Sequence, residues 1–375
     1  MKKIIGFLLL LILFSSALQA KSLDEKKTVL FLIPFYTQDY TGNVSASVQS
    51  SQDINSVNSF LLMGFWAGSQ IALQEYEEKN VILDIIVKDV TDDENSLRAI
   101  MDDDNLMHRV DLIIGPFFSK TFMIAAEYAK RYKIPIVNPF TNRTDILNDN
   151  EYVFKVIPSL ITKPVILSYM AERYPDYKII LYRDTISKNI EQEVYKDYFK
   201  ENKIPYNEVY GQNALLNEIT PGKKNIVLIF SHNSAKMLMI SRDLLYKTNP
   251  DDLMLVVPET WLQSKTYDVE YYSKLNLHFF SHFYVDEKDQ NTQVFIQKYK
   301  DKFKTIPTLE NFAYQGYDIT RFFLEMIYHD GDLDRVKVDA IAYPMTFDKT
   351  QGGGYENVNI HFLEIKDDEI VPVTY

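Results

Sequence analysis

The 375-residue chain has no cysteine. That absence excludes disulfide staples, thiolate nucleophiles, iron–sulfur clusters, cysteine-ligated zinc and a lipid anchor carried on a cysteine, so its chemistry must run on oxygen and nitrogen. Positive charge is also in deficit: 40 Lys and Arg stand against 52 Asp and Glu, a formal net charge of −12. A chain of that balance offers no basic surface to neutralise a phosphate backbone, and nucleic acid is not expected as a partner. Long hydrophobic runs are scarce too. The amino-terminal one, Ile4 to Phe14, spans eleven residues, well short of the roughly 20 needed to cross a bilayer as a helix.

That short run lies between Lys2 and Lys3 on one side and the small residues Ser15, Ser16, Ala17 and Ala20 on the other. This is the order of a secretory signal, with cleavage expected after Ala20 and residues 1–20 removed. Loss of the two lysines leaves 38 basic against 52 acidic residues, a net charge of −14. The mature chain, beginning at Lys21, is expected in the periplasm with no membrane insertion.

Catalytic constellations are missing as well. Only His278 and His282 among six histidines have a metal-like spacing; they lie in a run that alternates like a strand, with no acidic residue between them, and metal binding is not expected. There is no nucleophile elbow, no phosphate loop and no dinucleotide fingerprint; Gly352-Gly353-Gly354 reads as a turn between two carboxyl-terminal strands. The acidic runs Asp92-Asp93-Glu94 and Asp102-Asp103-Asp104 lack the glycine and final glutamate of a calcium loop and read as solvated helix ends. The expectation is a non-enzyme with neither cofactor nor metal.

What is present is alternation. Short β-branched runs at Val29–Phe35, Val81–Val87, Leu112–Ile114, Ile134–Val137, Lys178–Tyr182, Ile226–Phe230 and Leu253–Val257 are separated by amphipathic stretches at Phe65–Glu78, Phe122–Tyr132, Ile190–Asn202, Ala235–Tyr246 and Gln293–Phe303. Strand and helix in turn predict an α/β fold of parallel sheets covered on both faces, and the length suggests two such sheets. Residues 36–58, rich in Ser, Asn, Gln and Thr, read as a long polar loop after the first strand. Two strand-to-serine junctions, at Ser119 and Ser234, admit two readings. Either serine can cap its helix, or it can stand at the carboxyl end of a parallel sheet, where ligands gather. The 26 tyrosines and 23 phenylalanines exceed what core filling needs, and Tyr36, Phe117, Phe118, Phe140 and Trp261 fall at expected loop mouths, placed to line a cleft.

The run Asp111-Leu-Ile-Ile-Gly-Pro-Phe-Phe-Ser-Lys-Thr121, followed by Ala125-Ala-Glu-Tyr-Ala129 and Ile134-Pro-Ile-Val-Asn-Pro139 with Thr141-Asn142, resembles the first lobe of the type I periplasmic binding proteins of the branched-chain amino acid group. Tyr152–Pro158, Val257-Pro-Glu259, Phe312–Asp318 and Met345-Thr-Phe-Asp348 extend the likeness over essentially the whole mature chain. The resemblance implies two Rossmann-like lobes joined by three crossings and closing on a ligand by hinge motion, with 27–154 and 285–342 forming the first and 155–284 and 343–375 the second. It implies that Ser119, with Thr121 nearby, and a donor at Thr141 or Asn142, aligned best on Asn142, receive a ligand carboxylate. Glu259 would receive its ammonium; Phe118 and Trp261, already placed at loop mouths by position, are the aromatics expected to line the same cleft. Lys188 stands where the family carries a tyrosine wall, which suggests a ligand with extra negative charge or an altered pocket. Two uses of the fold follow: a solute-binding protein presenting a small polar, amino-acid-like ligand to an ABC-type permease, or a sensor or interaction scaffold of the cell envelope with another envelope protein as partner.

Overall fold

The computed structural model describes residues 26–37, 59–173, 177–183, 189–231, 233–262 and 272–373. The leader read at 1–20, Lys188 and most of the polar loop after the first strand lie outside them. The chain forms two compact units, Met1–Ile157 with Val285–Val358 and Pro158–Tyr284 with Asn359–Tyr375.

The first unit supplies β1 (Lys27–Ile33), β2 (Leu83–Asp89), β3 (Leu112–Ile114), β4 (Ile136–Asn138) and β5 (Val153–Lys155). The second supplies β6 (Lys178–Arg183), β7 (Asn207–Tyr210), β8 (Asn225–Ile229), β9 (Leu253–Val257) and β10 (Leu277–Ser281). The chain then adds β11 (Phe347–Lys349) and β12 (Tyr355–Asn357) to the first sheet and β13 (His361–Lys366) and β14 (Glu369–Pro372) to the second. Each sheet has seven strands, in the orders β11-β12-β5-β4-β3-β1-β2 and β14-β13-β10-β9-β8-β6-β7. Both are mostly parallel; the antiparallel pairs are β11 with β12, β10 with β13 and β13 with β14.

The expected third boundary, at 342/343, falls too early. β12 pairs in parallel with β5, and β11 with β12 across a turn at Gly353 with φ +101°. The triple-glycine hairpin therefore completes the first sheet, and the chain leaves that unit after Val358.

The central strands β1, β3, β6, β8 and β9 are mostly apolar and buried, because both faces of the sheets are covered there. In β1, Val29, Phe31 and Ile33 enter one core cluster while Leu30 and Leu32 enter another. In β6, Ile180 and Tyr182 point to one cluster and Ile179 and Leu181 to the opposite one. In the first unit the Ser59–Glu78 and Ala313–Tyr328 helices pack at backbone contact. A Cβ on Gly68 would lie 1.8 Å from the Ala313 carbonyl oxygen, and one on Gly316 would lie 1.9 Å from that of Phe65. Asp318, fully buried on the same helix, accepts backbone N–H bonds from Ile341, Ala342 and Tyr343. Burial pushes its carboxyl up to about 6 against the pull of those amides. Where β5 meets β12, Lys155 and Glu356 are register partners, and the fully buried Lys155 Nζ donates to Glu356 Oε1 at 2.6 Å and to the Ile157 carbonyl.

Candidate functional site

In the first unit the polar groups gather beyond the carboxyl ends of β3 and β4. Ser119 is the first residue of the Ser119–Tyr132 helix rather than its cap; the cap position belongs to Phe118, which makes no side-chain capping bond. The Ser119 hydroxyl instead lies 3.1 Å from the Thr141 hydroxyl. Thr141 is held there by Asn138, whose side-chain oxygen accepts from the amides of Phe140 at 3.0 Å and Thr141 at 2.7 Å while its amide donates to the Pro116 carbonyl. At the other junction the serine is not the cap either: Asn233 caps the Ser234–Lys247 helix by accepting from the Lys236 amide, and Ser234 is the first helical residue.

The remaining first-unit expectations separate. Thr121 is fully buried and turns its hydroxyl back to the Phe118 carbonyl, a bond internal to the helix start. Asn142 is exposed, so the paired hydroxyl comes from Thr141, one residue before the position favoured by alignment. Phe118 is buried beneath the edge of Tyr36. Phe117 and Phe140 pack with Phe65 as a core cluster. The start of the polar loop is fixed by Asp89, whose carboxylate accepts from the amides of Phe35, Tyr36 and Thr37.

In the second unit a cavity of about 180 Å³ opens beyond the ends of β8, β9 and β10, lined by Lys163, Glu191, Tyr195, Phe230, Glu259, Phe280 and His282 among others. Glu259 follows β9 after Pro258, and its carboxylate accepts from the Ser281 hydroxyl at 2.8 Å. Burial raises the Glu259 carboxyl above its usual range, against the Ser281 bond and the positive charge of Lys163. Lys163 Nζ donates to Glu191 Oε1 at 2.7 Å. Trp261 does not line this cavity. Its side chain is 1% exposed within the core, and its indole N–H donates to the Ser231 carbonyl at 2.8 Å.

Asn138, Ser281, Lys163 and Glu191 were not singled out from sequence. Lys163 and Glu191 lie in the first turns of two helices, and only folding brings them together. His278 is buried in β10 with Nδ1 donating to the Asn276 carbonyl at 2.9 Å, and burial lowers its imidazole to about 4. Among the described residues no cluster of His, Asp and Glu has the makings of a metal site, and no helix is long and apolar enough to cross a membrane. The acidic runs serve helix starts, Asp93 accepting from the amides of Asn95 and Ser96 and Asp103 from that of Leu106.

No curated protein matches the chain. Among solved structures it is similar to a Rhodospirillum rubrum protein assigned by its name to branched-chain amino acid ABC transport, with TM-score 0.63 and 14% identity, covering 93% of this chain and 99% of that one. It is also similar to an ABC transporter substrate-binding protein from Desulfitobacterium hafniense in complex with Leu, with TM-score 0.54, 16% identity and 93% and 100% coverage. A third similar structure is full-length LpoA from Haemophilus influenzae, with TM-score 0.60 and 10% identity, covering 93% of this chain and 59% of that one. Two mostly parallel seven-stranded sheets in the type I periplasmic binding protein arrangement are thus the fold of this molecule. Residues 69–322 match the model of the receptor family ligand binding region, and the chain belongs to that family.

Proposed function

We propose that this chain is an extracytoplasmic binding protein for a small amino-acid-like solute, exported through a leader cleaved after Ala20 and delivering its ligand to an ABC-type permease. The observation that carries the reading is the Ser119–Thr141 hydroxyl pair. The serine is not used as a cap, the threonine is set by Asn138, and both stand at a parallel sheet's carboxyl end beside the free amides of a helix start. Such a group suits a carboxylate. Glu259, half-buried and accepting from one hydroxyl, suits an ammonium.

Calorimetry of the mature chain with the amino acids, repeated on Ser119→Ala and Glu259→Ala, tests this. Losing the partner of a desolvated charge costs about 2–5 kcal/mol, against about 0.5–1.5 for a neutral hydroxyl, so Glu259→Ala should weaken binding far more than Ser119→Ala. Equal small losses would remove Glu259 from the ammonium role. No heat and no thermal shift with any amino acid would favour the other use of the fold, an envelope sensor or interaction scaffold.

A further inference from the structure

The second-unit cavity contains a charge pair that ligand capture by Glu259 alone does not explain. Lys163 comes from the first turn of the Thr162–Arg173 helix and Glu191 from the first turn of the Ile190–Glu201 helix. Their side chains meet at 2.7 Å with 18% and 24% exposure, and both line the same small cavity as Glu259. A glutamate in a first turn complements the helix dipole, but a lysine there opposes it. The chain accepts that cost at Lys163, a local conflict of the kind found where a site needs a particular charge.

Within partly desolvated walls the count of charges governs what can enter, since a charge without a counter-charge is costly to bury. Among the described residues, the titratable groups lining the cavity are the carboxylates of Glu191 and Glu259, the Lys163 ammonium, the His282 imidazole and the Tyr195 phenol. Burial holds the Tyr195 phenol far above its usual range, so it is neutral. Lys163 is engaged by Glu191, whereas among the described residues the hydrogen bond that Glu259 accepts comes from the neutral Ser281 hydroxyl.

We infer that Lys163 is a built-in counter-cation that occupies Glu191 and leaves Glu259 as the acceptor for a ligand group carrying one positive charge, so that the cavity selects a single primary ammonium over a second cation. This rests on the assignment of Glu259 to the ligand ammonium. Lys163 and Glu191 together set the specificity: remove the lysine and the cavity holds two carboxylates to be matched from outside.

The test uses norleucine and lysine, which share a backbone and differ by a terminal methyl or ammonium, titrated calorimetrically into the mature chain. The wild type should prefer norleucine. Lys163→Met should shift the preference toward lysine by about tenfold or more, the lower end of coupling between close charges. Lys163→Met with Glu191→Gln should restore the wild-type preference. Glu191→Gln alone, which releases the Lys163 charge beside Glu259, should weaken norleucine without gaining lysine. If Lys163→Met weakens both amino acids alike, or the double variant does not restore the preference, Lys163 is structural and the inference fails while norleucine binding still supports the Glu259 assignment. Binding of neither amino acid by the wild type overturns both.

Discussion

Breaking the Lys155–Glu356 pair should destabilise the first unit by an amount that depends on which partner is removed. Lys155 has no exposed side-chain surface, whereas Glu356 retains 14%. Glu356→Gln leaves an ammonium in low dielectric without that carboxylate, and breaking a buried pair in this way costs about 3–5 kcal/mol. Lys155→Met puts an apolar side chain of similar length in the same space and leaves a carboxylate that still reaches water, so its cost should be nearer 1–2 kcal/mol, roughly that of an imperfect polar burial. A pH dependence follows. Burial lowers the Lys155 ammonium below its usual 10.5 while Glu356 pulls it back up, so removing Glu356 lowers it further. A lysine whose folded value lies below its unfolded one releases its proton more readily when folded. The penalty is therefore full below the folded value and fades as pH rises through it toward 10.5. Urea unfolding read by Trp66, which packs edge-on against Phe31 in the first unit, isolates the effect in a Trp261→Phe background. Glu356→Gln should be the more costly change at pH 7, and its penalty should shrink by pH 10. A Glu356→Gln variant no less stable than Lys155→Met, or a penalty unchanged with pH, would refute the reasoning.

Gly68→Ala should lower the stability of the first unit by about 1–3 kcal/mol or more. The added methyl meets the Ala313 carbonyl backbone, which cannot swing aside as a side chain would, and a thermal melt matching wild type would contradict this. For the ligand site, amine affinity should be flat at neutral pH and fall as acid protonates Glu259. Because partial burial raises that carboxyl above 4.5, the break should sit above the ordinary glutamate value, and calorimetry from pH 4 to 8 that shows a break at or below it would count against Glu259 as the acceptor.

Much of the fold was legible because its strands are buried on both faces. A run such as Val29–Ile33 must be apolar at every position when alternate residues feed two different cores, and such a run stands out against amphipathic helices. Short and edge strands escaped. β5, although buried throughout, has only three residues, and β7, at the sheet edge, buries one of its four, Val209. The displaced third boundary has the same origin: β11 and β12 are too short and polar to show by pattern which sheet they join, and the decision rests on register with β5. The Phe312–Asp318 run carries part of the family likeness, and its residues serve packing. Gly316 admits a helix, Gln315 donates to the Pro139 carbonyl, and Asp318 collects three amides.

The candidate site was legible only where position along one strand sufficed. Ser119 follows β3 by a fixed short loop, so a sheet-end location could be read from sequence, although a cap would look identical there. Thr141 against Asn142 could not be resolved by alignment, because the choice is made by Asn138 folding its side chain over the next turn and fixing which of the two side chains faces Ser119. Trp261 misled in the opposite way. A large aromatic just past a strand end suggests a cavity wall, but its N–H finds the Ser231 carbonyl inside the core and the ring follows it. Lys163 and Glu191 are the extreme case. They stand 28 residues apart on different helices, and each alone is an ordinary first-turn charge. A charge count for the cavity exists only once both helix starts are brought to its wall, so the specificity proposed for it follows from packing rather than from any local pattern.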